Sequence, residues 1–245
     1  MTRYDYLNTG LKVECREDLE RFVREHIADL TVMENDGGEK YAVLDAGGDV
    51  EYYFNCDEDG RVYPFSMEVL YSEGRETVLA DCRPVTRELM AGFLTEGELR
   101  GAPIHIYLPE AVCFADARRT KKERLRVSFS LTAAELQYSE GERGPLEALD
   151  KEAYIPCGTF PFSAKDEGWE PSELVIFSGV VCTAERRVNA LTGLGYWVLA
   201  ADCLGMTFTV LAGEDQLPEE PKPGAVISGV FRANGRITDD CSDAL

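Results

Sequence analysis

Apolar residues recur at helical spacing between positions 16 and 30. Leu19, Phe22, Val23, His26, Ile27 and Leu30 form one stripe, with Glu17, Asp18 and Glu20 in the first turn where the helix dipole favours acids. This predicts a helix over 16–30, in a unit ended by the Asn35–Gly38 turn. From residue 39 the period changes to two. Lys40–Asp45 is a candidate strand, and Val50, Tyr52, Phe54 and Cys56 alternate with Glu51, Tyr53 and Asn55 in a second. Asp57–Gly60 reads as a hairpin turn, with strands expected over 61–71 and 76–82. Together they predict an antiparallel meander with the helix on one face. Pro84 opens an expected short helix through Leu94.

Further strands are expected at 103–108, 110–117 and 127–131. Thr132 and Glu135 have capping-box spacing, which predicts another short helix. Residues 139–173, rich in Gly, Pro and charge, read as a connection. Leu174–Val188 is long for one strand and contains Gly179, which predicts a bend or bulge there. Residues 196–203 and 206–213 pair around Leu204–Gly205, and 225–231 is the last clear strand. No internal repeat stands out. The fold class is α+β, predominantly antiparallel β, in three segments: an acidic α+β domain (1–110), a basic hairpin and connecting region (111–172), and a small β-barrel (173–245).

The order of elements over 174–237, ending in PKPGAVISGVF at 221–231, resembles that of an OB-fold barrel. The resemblance implies a closed barrel whose fifth strand comes from a hairpin at Asn234–Gly235 or from 153–162. It places Ile176, Val180 and Phe208 in one interior, independent of the upstream meander. It also implies a surface of the kind that binds oligonucleotides or oligosaccharides.

Charge changes the picture next. The 245 residues carry 45 acids and 25 bases, a formal charge of −20. Residues 1–110 hold 24 acids against 11 bases. Such a surface repels phosphate backbones at long range and suits a basic partner. One run opposes it: Arg118, Arg119, Lys121, Lys122, Arg124 and Arg126, with a smaller patch at Arg186 and Arg187. These eight residues are the candidate anion or nucleic-acid contacts, and a solvated loop is the bland alternative. A groove formed with Tyr196 or Trp197 would favour nucleic acid, although adjacent strand residues point to opposite faces.

The remaining chemistry is sparse. Eight cysteines are spread with no CxxC pair, so metal-ligand spacing is absent and most should behave as small buried hydrophobes. His26 reads as a packing residue and His105 as a strand-surface one. Nucleotide-cradle, HExxH and G-x-S-x-G motifs are missing. Asp57 and Asp59 lack the rest of a calcium loop. No catalytic residue, cofactor or metal site is assigned. With neither an apolar leader nor a membrane-length apolar run, a cytoplasmic location is expected. The expected function is that of a non-enzymatic binding or scaffold protein. The alternatives are single-stranded nucleic-acid binding and acidic inhibition of a basic protein, and homo-oligomerisation stays open.

Overall fold

A computed structural model describes residues 6–35, 37–86, 89–108, 122–140, 152–158, 171–217 and 220–239. The first part of the apolar stripe, Leu19, Phe22 and Val23, forms helix α1 (Arg16–Glu25), while Ile27 and Leu30 fall in the turn and segment after it, so the helix is shorter than expected. Asp18 accepts the Glu14 and Cys15 N–H groups at 3.1 and 3.2 Å, meeting two donors at the helix entrance. Leu19, Phe22 and Val23 are buried. His26 closes the helix, partly buried, with its ring 4.9 Å from Phe22, the packing role expected of it.

Strands β1 (Thr31–Glu34), β2 (Lys40–Asp45), β3 (Val50–Asn55) and β4 (Glu68–Tyr71) form an antiparallel sheet in chain order. Period-two patterning sorts its faces. Ala42, Leu44, Val50, Tyr52 and Phe54 meet α1, while Tyr41, Tyr53 and Leu70 cluster on the other side. The expected α+β class and the helix on a meander are both present, but the strand expected over 61–71 is confined to 68–71 and residues 76–82 join the larger sheet instead.

The remaining strands make a nine-stranded sheet: β5 (Arg75–Pro84), β6 (Leu89–Leu94), β7 (Pro103–Tyr107), β8 (Lys122–Ser139), β9 (Ala153–Gly158), β10 (Pro171–Val188), β11 (Gly195–Cys203), β12 (Met206–Gly213) and β13 (Val226–Asp239). Several expectations are corrected here. The helix expected after Pro84 is β6, held between β5 and β7. The helix expected at Thr132–Glu135 is part of β8, because partner β13 pairs along its whole second half. Asn234–Gly235 is no turn; β13 runs straight through it. The strand expected at 110–117 and much of the 139–173 connection lie outside the described residues.

Pairing closes two five-stranded rings. In the first, β8 pairs β5, β5 pairs β6, β6 pairs β7, and β7 meets β13 in parallel at Asn234 and Tyr107. In the second, β13 pairs β10, β10 pairs β11, β11 pairs β12, and β12 meets β8 in parallel at Val210/Leu131 and Leu211/Thr132. The antiparallel β8–β13 ladder, from Arg126/Asp239 to Ser139/Val226, belongs to both. Each ring therefore uses three strands of its own, one parallel seam and the shared ribbon. The order and direction of pairing are the same in both rings, with β5–β8 of the first corresponding to β10–β13 of the second. The strand completing the second ring is β8, from upstream; β9 flanks β10 outside that ring. Strands from all three expected segments thus share one sheet.

The core is likewise continuous. Leu79, Met90 and Ile104 share a cluster with Leu131, Val175, Phe177 and Phe208. Phe208 packs against Phe177 at 5.1 Å and Phe129 at 6.0 Å. Val175, Phe177 and Val181 face this interior, whereas Ile176 and Val180 are only partly buried and take the other side of the strand, against expectation. The bulge expected near Gly179 falls at Cys182, where the register with β11 shifts and the inward parity passes to Ala184.

A buried polar seam docks the small sheet onto the second ring. The Asn189 amide donates to Thr9 O and to the Tyr52 hydroxyl, both at 2.8 Å. Asn8 donates to Ala133 O and accepts from Gly213 N. Arg232, almost buried, faces Glu173 at 3.2 Å and Glu68 at 3.7 Å, and lies 4.0 Å from the centre of the Tyr107 ring. Among the described residues no helix is long and apolar enough to cross a membrane.

Candidate functional site

Of the expected cationic contacts, Arg118, Arg119 and Lys121 lie outside the described residues. Lys122, Arg124 and Arg126 alternate with buried Leu125 and Val127, so they share the outward face of β8. Arg186 and Arg187 are held by acids instead. Arg186 meets Glu214 at 2.5 Å. Arg187 pairs with Asp49, with Glu185 at 2.8 Å and with Glu73 at 3.7 Å. Tyr196 is buried and donates its hydroxyl to Gly48 O, and Trp197 packs partly buried on the core. Neither ring is an open stacking platform for bases.

His105 departs from its expected surface position. It is 2% exposed, and its Nδ1 is 2.9 Å from Ser172 O. Burial draws its pKa below the ordinary histidine value, against the Ser172 contact and Glu173, which act upwards. Ile104, His105 and Ile106 are all buried, because β7 is covered on both faces. The Asp57–Gly60 segment is the hairpin turn expected: Gly60 N donates to Asp57 O, Arg61 N donates to Asp57 Oδ1, and Cys56 bridges Val62. The six described cysteines are free thiols, and among the described residues no cluster of His, Cys, Asp and Glu could hold a metal.

The feature left over is a groove of about 640 Å³ at the open end of the α1 face. Val23 lines it from α1, Ile27 and Leu30 from the turn and segment that follow, Val32 from β1, and Val62 and Phe65 from the segment after the hairpin. Ile27 is 61% exposed, Val32 49% and Phe65 45%. Val32 pairs with Ala42, so its side chain lies on the face that α1 covers further along. The Phe65 ring is also capped by the Arg16 guanidinium at 3.6 Å. All four residues of β1 are exposed, and among the described residues β2 is its sole strand partner.

The surround is acidic. Residues 16–34 and 57–65 carry nine acids against four arginines. Asp18 pairs with Arg21, and Glu20 with Arg16 at 3.7 Å. Glu20, Arg24 and Arg61 line the groove, Asp57–Asp59 lead into Gly60, which lines it too, and Glu34 follows Val32 on the same face of β1. Sequence reasoning counted Ile27 into the core stripe and did not find β1. The available signal was Val32 and Met33 between the helix and the Asn35 turn, too short a stretch for periodicity to register.

No family model matches the chain, and no curated protein or solved structure matches it either.

Proposed function

We propose that this is a non-enzymatic binding protein that holds a basic protein partner in the groove between α1, β1 and residues 60–65. One observation carries the reading: a largely apolar groove, beside a strand edge that no other strand covers among the described residues, built from segments with an excess of acids. Exposed apolar patches of this kind mark interaction sites. The acidic field steers a cationic partner, and the apolar wall then supplies contact area. In such a site a Thr-Val-Thr-Lys-Thr-Val-Thr-Lys peptide binds, as read by fluorescence anisotropy. Its affinity falls about tenfold between low and physiological salt. Ile27→Glu abolishes binding without loss of fold. Equal affinity in that variant overturns the reading.

A second reading, single-stranded nucleic-acid binding, draws on the barrel. A five-stranded ring closed by one parallel seam resembles an OB-fold, and Lys122, Arg124 and Arg126 lie along its shared strand. The buried Tyr196 and the acid-bound Arg186 and Arg187 weigh against it. Filter binding of a single-stranded oligonucleotide at low salt tests it, with Arg124→Glu/Arg126→Glu as the variant that loses retention.

A further inference from the structure

Resting on the reading of the groove as a protein-docking site, we infer that the partner enters as an extended strand added to the outer edge of β1. It places an apolar side chain opposite Val32 and a lysine or arginine opposite Glu34.

The hydrogen-bond register fixes which groups are available. Asn35 N donates to Glu39 O across the turn, and Cys56 N donates to Lys40 O. Lys40 thus faces β3, and Tyr41 faces β1. Bonded pairs alternate in an antiparallel ladder, so Met33 and Thr31 turn their N–H and C=O groups to β2. Val32 and Glu34 turn theirs outwards, where among the described residues no strand meets them. An added strand finds these groups already spaced for it.

The same register sets side-chain chemistry. Val32 and Glu34 lie on one face of β1, two residues apart. Val32 continues into the apolar wall made by Ile27, Val62 and Phe65. Glu34 is an exposed acid with no described ion pair, and the Asp57–Asp59 run adds charge of the same sign nearby. A residue directly opposite each would therefore be apolar and cationic in turn, an alternation every second position of the incoming strand. The net excess of acids over the groove-forming segments selects the cationic over the anionic version of such a strand. Glu20, Arg24 and Arg61 are the charged residues lining the groove itself, so the cationic preference is set at Glu34, beyond Val32 on the same face of β1.

The test uses the full chain and the same Thr-Val-Thr-Lys octapeptide, with the glutamate version as counterpart. Val32→Pro removes an outward N–H while sparing the β2 ladder. It is expected to weaken the lysine peptide at least about tenfold. The glutamate peptide should bind the native chain about tenfold more weakly than the lysine peptide. Hydrogen exchange on the native chain should show the Val32 and Glu34 amides slowed by the lysine peptide, and this reads the mode even if the proline variant folds poorly. Loss of binding in Ile27→Glu with unchanged Val32 and Glu34 exchange keeps the groove and overturns strand addition. Unchanged binding in Ile27→Glu removes the docking site itself. Preference for the glutamate peptide overturns the basic partner. Protection of the Val32 amide that grows with protein concentration and needs no peptide overturns it too, in favour of a second copy of this chain.

Discussion

At the scale of single residues, the molecule keeps its ionisable and polar groups in two different economies. On the surface, Arg186 and Arg187 sit in exposed or half-exposed ion pairs that contribute little each. Inside, His105 and Asn189 act through desolvation. The folded protein holds His105 neutral below its usual pKa, so the unfolded chain binds more protons as the solution acidifies. Stability is therefore retained above about pH 6.5 and declines as pH falls below it. Urea titrations at pH 7.5 and 5.5 should show this decline, and His105→Gln should flatten it. Asn189→Ala leaves the Thr9 carbonyl and the buried Tyr52 hydroxyl short of a donor. It is expected to cost about 2 kcal/mol in chemical denaturation. His105 was misread for a physical reason: alternation reports one wet face, and β7 has none.

At the scale of elements, legibility followed solvent exposure. Strands β2, β3, β11 and β12 carry period-two patterning in the sequence, and their positions were readable to within a residue or two. Helix α1 was equally plain through Leu19, Phe22 and Val23. The misses have one cause, long-range pairing that overrides local propensity. Thr132–Glu135 favours a helical turn in isolation, yet β13 pairs with Thr132, Ala133 and Glu135 around a bulge at Ala134. Leu89–Leu94 follows a proline that could start a helix, yet it fills the gap between β5 and β7. The docking groove was the least legible feature, since it depends on the four-residue strand β1. The crossing of the two shared strands is tight: a Cβ on Gly229 would stand 1.9 Å from Glu135 O. Gly229→Ala should therefore destabilise the protein by about 2 kcal/mol or more, measured by thermal or urea unfolding. Ser228, its neighbour, has room for its side chain already and serves as the comparison site.

At the scale of the whole molecule, the shared ribbon ties the two rings into one cooperative body. Leu131 lies on β8 in the common core, beside the seam with β12. Leu131→Ala should cost about 2–5 kcal/mol. Its urea transition should remain single, with tryptophan emission and far-ultraviolet circular dichroism changing together; separate midpoints would show that the rings unfold apart. A fragment of residues 173–245 lacks β8 and should give the narrow amide dispersion of an unfolded chain. The parallel seams have a further consequence for how the chain is made. A ribosome that has released residues 75–139 has delivered four staves of the first ring, but the fifth arrives only with Val226–Asp239. The opening half must wait, edges bare, while roughly ninety more residues are synthesised, some five to twenty seconds at ordinary elongation rates. The nascent protein is thus most in need of chaperone cover late in translation, and both rings close together once its last strand emerges.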